Sequence, residues 1–147
     1  MNLRDAELPP DCDRPGFSHR RVAVREALGG DLLGCSLYEV DPGEQLWPYH
    51  FHWNNEEWLI VVAGAPTLRT PEGERELRAG DLVGFVEGEA GAHTLYNRSG
   101  APFRVAFFGT RRQGSAHYPD SGKIGAGPPW DRLYFERGSA VDYWDGE

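Results

Sequence analysis

A chain of 147 residues is about one ordinary domain long, and its 39% hydrophobic and 12% aromatic content can build a core despite 19 Gly and 11 Pro; two full domains and wholesale disorder are both disfavoured. The 15 basic and 23 acidic residues leave a net charge of -8, which repels a phosphate backbone and argues against nucleic acid as the ligand. The longest apolar run, Trp58 to Ala63, is strand-length rather than a membrane span, and the acids at Asp5 and Glu7 stand where an export leader would be apolar, so a cytoplasmic protein that engages no membrane is expected. Cys12 and Cys35 match no metal spacing and read as free thiols, Cys35 partly buried.

Helical periodicity is nearly absent, and short runs bounded by turn chemistry predict strands at Arg21-Ala27, Leu33-Val40, Gln45-Trp53, Trp58-Ala63, Thr67-Thr70, Glu74-Arg78, Leu82-Val86, His93-Asn97 and Phe103-Phe108. The separators, among them Gly29-Gly30-Asp31, Asp41-Pro42-Gly43, Pro71-Glu72-Gly73 and Ala79-Gly80-Asp81, combine residues that supply positive φ, preset φ or bond back to their own backbone. Short strands at regular spacing predict an all-β sandwich or barrel. From Arg111 to Pro129 the chain is polar and rich in Gly, Ser and Pro, and reads as an extended loop. The aromatics of Trp130-Asp131-Arg132-Leu133-Tyr134-Phe135 and Val141-Asp142-Tyr143-Trp144 then call for an arm laid over the barrel or over a partner subunit. The predicted organisation is an N-terminal arm at 1–20, a barrel at 21–110 and a C-terminal loop and arm at 111–147.

Chemistry concentrates between Gly43 and Trp58. On a strand, residues two apart share a face, so His50 and His52 project together while Phe51 and Trp53 project the other way. A corner at Asn54-Asn55 leads into a strand that opens with the carboxylates Glu56 and Glu57, and a later loop brings His93 back to the same interior. Three neutral imidazoles and one carboxylate suit a single divalent transition metal: Zn, Fe, Mn, Ni, Co or Cu.

These residues resemble a single-domain cupin. The family's first motif, Gly, His-x-His, Glu and Gly, is matched by Gly43, His50, His52, Glu57 and Gly64, with one extra residue before His50. The second is matched by Gly80, Gly88, His93 and Asn97, with Val86 where proline is usual and four residues rather than two between Gly88 and His93. More loosely, Leu28-Gly-Gly-Asp-Leu-Leu-Gly and Tyr118-Pro-Asp-Ser-Gly-Lys123 resemble bacterial cupins of unassigned function. The resemblance implies a cupin-type double-stranded β-helix, a jelly-roll barrel with N- and C-terminal arms, in which His50, His52, Glu57 and His93 hold the metal; spacing to Gly64 favours Glu57 over Glu56.

Tyr38, Glu39, Glu56 and His117 are the candidates for acid–base work, with Tyr38 and Glu56 singled out. With Glu57 as ligand, however, Glu56 falls on the opposite face and reads as a surface charge, and apolar content does not decide which face of Leu33-Val40 looks inward. Asn97 is expected to fix a turn, and His117 reads as a solvated loop histidine. Arg69, Arg75, Arg78 and Arg104 suit an anionic substrate only if one points inward. The alternation of Trp47, Tyr49, Phe51 and Trp53 with Pro48, His50, His52 and Asn54 places four aromatics opposite the ligands, a stripe that calls for cover by a second subunit, hence a homodimer, or by the C-terminal arm. The expected function is a metal-binding barrel that binds or acts on a small molecule. A sugar isomerase, epimerase or lyase, an iron-dependent dioxygenase and a non-catalytic binding module all fit this pattern.

Overall fold

The computed structural model describes residues 1–110, 112, 114–128 and 131–147. Its strands are β1 (Pro10–Cys12), β2 (His19–Val22), β3 (Leu33–Val40), β4 (Phe51–His52), β5 (Glu57–Ala63), β6 (Thr67–Thr70), β7 (Gly73–Glu76), β8 (Leu82–Phe85), β9 (Thr94–Tyr96), β10 (Phe103–Thr110), β11 (Ala116–Tyr118), β12 (Lys123–Ala126) and β13 (Leu133–Glu136). They form three antiparallel sheets in the orders β1-β2-β3-β10-β5-β8, β13-β12-β11-β4 and β7-β6-β9, the nearly all-β architecture of a jelly roll. Among the described residues no helix is long and apolar enough to cross a membrane.

The large sheet positions the site. Along β3, β5 and β10 the pleat alternates strictly: Val40, Leu59, Val61, Phe103, Val105 and Phe107 face the barrel core, joined there by Leu46, Leu68, Leu77, Phe85 and Leu95. The intervening Cys35, Leu37, Ile60, Val62, Ala106 and Phe108 form a second cluster with Leu3, Ala6, Leu8, Val22 and Val24. The N-terminal segment therefore buries the outer face of the sheet, and both faces are apolar as in a doubly covered sheet. Tyr38 is in phase with Val40, which turns it inward, and Glu57 is in phase with Leu59. Gly64 ends β5 at a φ of 79°, and a Cβ there would stand 2.7 Å from the Phe103 backbone, so only glycine lets the two strands part at this point.

Several expected elements are corrected. The run Arg21–Ala27 is not one strand: β2 ends at Val22, and Val24–Leu28 forms a short helix, α1, that buries Val24 and stops at Gly29 in the left-handed conformation. Its single turn is too short to register as helical periodicity. Gln45–Trp53 is also interrupted, because Pro48 cannot donate to a ladder; the segment makes isolated bridges at Gln45 and His50 and a ladder only at Phe51–His52. The expected extended loop after Arg111 contains β11 and β12, joined by a turn in which the Ser121 and Gly122 amides donate to the Tyr118 carbonyl. Both Cys12 and Cys35 are half-buried free thiols.

Candidate metal centre

His50 and His93 face each other across a backbone bridge in which each amide donates to the other's carbonyl, at 3.2 and 2.8 Å. His52 follows on β4 and Glu57 opens β5, with Gly109 paired opposite Glu57 and leaving its side chain room. The extra residues between Gly88 and His93 are absorbed by a 3-10 turn at Glu89–Gly91. A Cβ at Gly91 would lie 1.8 Å from the Val86 carbonyl, so glycine allows this turn to close and to present its own carbonyl to His93.

The four side chains converge. His50 Nε2 is 3.1 Å from His52 Nε2, and Glu57 Oε2 is 3.4 Å from His52 Nε2 and 3.5 Å from His93 Nε2. His50, His52 and Glu57 form a group able to hold a metal ion, their ligand atoms all within 4.8 Å of one another. His93 joins through Glu57 and lies with its ring centroid 4.9 Å from that of His50. His50 Nδ1 stands 2.9 Å from the Pro48 carbonyl and His93 Nδ1 2.9 Å from that of Gly91. A carbonyl only accepts, so each Nδ1 carries the proton and each Nε2 turns a lone pair toward the cluster, the tautomer a metal ligand requires. Glu57 Oε2 and His93 Nε2 are buried without a hydrogen-bond partner, a costly arrangement that a shared cation would relieve.

The protonation states agree. Burial, with repulsion from His93 and His52, lowers His50 to about 3. Burial likewise lowers His93. For Glu57, burial acts to raise the carboxyl, but the nearby imidazoles of His52, His93 and His50 outweigh it and hold the group at about 2. Near neutrality the cluster thus presents a carboxylate beside the uncharged imidazoles of His50 and His93, the state in which such side chains ligate a divalent ion.

Residues 36–109, carrying this cluster, match the cupin domain family. The chain belongs to the cupin family. Among solved structures, this cupin is similar to a proposed sugar phosphate isomerase from Acidithiobacillus ferrooxidans, with 22% identity over 95% of this chain and 91% of that one and a TM-score of 0.85. It is also similar to a cupin-superfamily sugar phosphate isomerase from Silicibacter pomeroyi, with 22% identity over 99% and 97% and a TM-score of 0.81. The polyketide cyclase RemF from Streptomyces resistomycificus resembles it at 22% identity over 75% and 77%, with a TM-score of 0.58. No curated protein gives a significant sequence match. At these identities the likeness is one of fold.

Beside the cluster this cupin opens a cavity of about 900 Å³ lined by His52 and Glu57, with Tyr38, Ser36 and Phe107 on its inner wall. Tyr38 packs edge-on to Trp47 and Phe107; burial raises its phenol, against the Arg21 charge and a hydrogen bond with Ser36. Glu56 is exposed and outside the cavity, which removes it as a catalytic candidate: one step along a strand from an inward Glu57 is outward. Asn97 fixes a turn, its amide donating to the Val40 and Ala101 carbonyls. His117 is not a solvated loop residue, because it lies on β11 opposite Phe51 and stacks on that ring at 4.9 Å.

The aromatic stripe is also corrected. Trp47 lies inside the barrel against Tyr38 and Phe107, since the break at Pro48 ends the alternation. Tyr49 and Phe51 are buried, Phe51 under His117 of β11, and Trp53 remains exposed. The C-terminal segment thus covers part of the stripe, yet its own Leu133, Tyr134, Phe135, Val141, Tyr143 and Trp144 are exposed; Trp130 lies outside the described residues. Of the arginines considered for an anion, Arg69 bonds to Asp120 at 2.6 and 2.9 Å and Arg104 pairs with Glu39. Arg75 and Arg78 are exposed, and none of the four enters the cavity. Among the described residues, those that do are Arg21, Arg25, Arg112 and Arg132. Arg21 pairs with Tyr38 across β2 and β3, a register that no sequence pattern marks, and the others sit on segments without periodicity.

Proposed function

We propose that this cupin is a metal-dependent isomerase of a small hydroxy-carbonyl compound, holding one divalent transition metal through His50, His52, Glu57 and His93. The observation that carries the reading is the pair of orphaned buried atoms, Glu57 Oε2 and His93 Nε2, aimed at the same point as the lone pair of His50. This point borders a cavity whose volume suits a small metabolite. When bound, such an ion supplies Lewis acidity, polarising a substrate carbonyl and easing loss of the neighbouring carbon-bound proton.

The chain contributes the rest. Trp47, Phe85, Phe107 and Tyr118 surround His50 and His93 with rings and limit water to the cavity side. Tyr38 keeps its proton near neutrality and reaches the same cavity, where it can hydrogen-bond to a substrate oxygen and relay a proton. Isomerisation needs little beyond a Lewis acid and such a relay, and two of the similar structures, matched across their arms as well as their barrels, are described as sugar phosphate isomerases.

Elemental analysis and proton NMR in D₂O test the proposal. Protein purified without added metal should contain about one ion per chain, and incubation with an aldose phosphate should wash deuterium into the carbon beside the carbonyl. His50→Ala should lose both properties, while Tyr38→Phe keeps the metal and slows exchange by roughly 10²–10⁴-fold. Failure to take up a near-stoichiometric ion would overturn the metal site; metal-dependent oxygen consumption without exchange would overturn isomerisation in favour of a dioxygenase. The same reading includes a homodimer, because the exposed rings of Tyr143 and Trp144 and their neighbours need cover. Light scattering at micromolar concentration giving the mass of one chain would overturn that part.

A further inference from the structure

From the arginines at the cavity we infer that its outer wall is a phosphoryl-binding subsite built by Arg21, Arg112 and Arg132, which anchors the end of the substrate remote from the metal. The inference rests on the proposed function for the substrate's other end but stands on different residues. In a chain of net charge -8, four arginines among the described residues line this cavity. Arg25 is committed to the loop, donating to the Gly30 carbonyl and facing Glu26 at 3.5 Å. Among the described residues the other three have no carboxylate closer than 3.7 Å. Arg21 rests on the Ser36 hydroxyl, with Asp11 no closer than 3.7 Å, and Arg132 Nε is buried with no hydrogen-bond partner. Among the described residues Arg112 makes no ion pair or hydrogen bond.

Two glycines shape the wall for these side chains. A Cβ at residue 125 would lie 2.9 Å from Arg132 Cδ, and one at residue 114 would lie 2.0 Å from the Trp53 carbonyl. Gly125 makes room for the Arg132 stem, and Gly114 lets the backbone at that point pass close against Trp53. The acids on the same wall are Glu26, which faces Arg25, Asp31, and Glu57 of the imidazole cluster. With a divalent ion on Glu57 the wall is positive. Guanidinium forks whose donors are not hydrogen-bonded to a carboxylate recognise tetrahedral oxyanions in pairs of hydrogen bonds. Because the wall continues inward to Ser36, Tyr38 and Glu57, a ligand held there by its phosphoryl group directs its carbon chain toward the cluster.

Calorimetric titration of inorganic phosphate into the EDTA-treated full chain at low ionic strength tests the subsite without the metal. About one phosphate should bind per chain, weakened roughly tenfold or more by Arg112→Gln and by Arg132→Gln and unchanged by Arg75→Gln, outside the cavity. Arg112 is exposed, so its variant keeps the test valid if Arg132→Gln does not fold. His50→Ala should still bind phosphate, which separates this inference from the metal reading. No phosphate binding in protein that takes up metal normally would overturn the subsite alone. Equal binding by the arginine variants would overturn it as well, and acetate displacing phosphate at equal concentration would overturn the phosphoryl assignment in favour of a carboxylate.

Discussion

The two ends of the strands β3, β10 and β5 are built on one pleat and do opposite things. At one end Val40 pairs with Phe103 and Arg104 with Ala63, and the inward side chains, Val40, Phe103, Val105 and Val61, are sealed among Leu46, Leu68, Leu77 and Leu95. At the other end Cys35 pairs with Phe108 and Glu57 with Gly109, and the inward positions are Ser36, Tyr38 and Glu57, opening on a cavity. The backbone pairing runs through both, with one register shift between Arg104 and Val105, so the change from dry core to chemistry is made by side-chain choice at every second residue. The sealed end supplies the burial free energy, roughly 1.5–3 kcal/mol for each large apolar side chain, that holds the open end's buried carboxylate and imidazoles in place.

Substitutions that attack the ends separately should give opposite results. At the open end, His50→Ala and Glu57→Gln should each weaken metal binding by more than about 100-fold, since loss of an outer partner to a ligand alone costs about 10–100-fold, and competition with a fluorescent chelator reads this directly. At the sealed end, Phe103→Ala should cost about 3–5 kcal/mol in denaturant unfolding while leaving metal affinity per folded molecule unchanged. Leu68→Ala should cost about 2–5 kcal/mol with the same indifference. If Phe103→Ala lowered metal affinity as much as His50→Ala did, the ends would be one cooperative unit and the contrast would fail.

The same contrast explains what was legible in the sequence. The bounds of β3, β5, β6 and β10 could be read almost residue for residue, because turn residues bracket them, and the His-x-His spacing with Glu57 and His93 marked the open end. Tyr38 could not be oriented, since the N-terminal segment buries the outer face of the large sheet through Leu37 and Ala106; with both faces apolar, hydrophobicity has no phase to reveal. The segment after Gly109 failed for another reason. β11 and β12 are three and four residues long, β12 contains Gly125, and their strand character comes from pairing, β11 with β4 and β12 with β11 and β13, rather than from local propensity. Arg112 precedes β11 and Arg132 precedes β13, both outside any strand, so the charged wall of the cavity was the least visible part of the site. The face of Trp47 was misjudged because Pro48 breaks a strand that composition alone makes continuous.

An intermediate effect lies in acid. Burial lowers His50 to about 3, so in metal-free protein the unfolded chain takes up this proton first as pH falls. The associated stability is full above about 6.5, the imidazole's ordinary value, and is lost progressively toward 3, at no more than about 1.4 kcal/mol per pH unit. Glu57, held at about 2 by the imidazoles despite its burial, adds a loss of the same sign, beginning near the ordinary carboxylate value and ending near 2. Melting temperatures of EDTA-treated protein between about pH 7 and pH 4 should fall, and fall less steeply in His50→Ala. A pH-independent melting temperature over that range would mean that the open end is solvated when metal-free.

The smallest effect is expected one residue away from the largest. Glu56 contributes its backbone to the edge of the site, its carbonyl accepting from the Thr110 amide at 3.1 Å and its own amide donating to Thr110 Oγ1 at 3.3 Å, but its side chain is exposed and outside the cavity. Glu56→Gln keeps both backbone bonds and should change stability by no more than about 0.5 kcal/mol and metal affinity not measurably, against the large loss in Glu57→Gln. Two adjacent glutamates with such different consequences are what the pleat requires, because a shift of register by one residue exchanges every inward side chain for its outward neighbour. If Glu56→Gln proved the damaging variant and Glu57→Gln the silent one, β5 would run one residue out of register, and Leu59 and Val61 would leave the core along with Glu57.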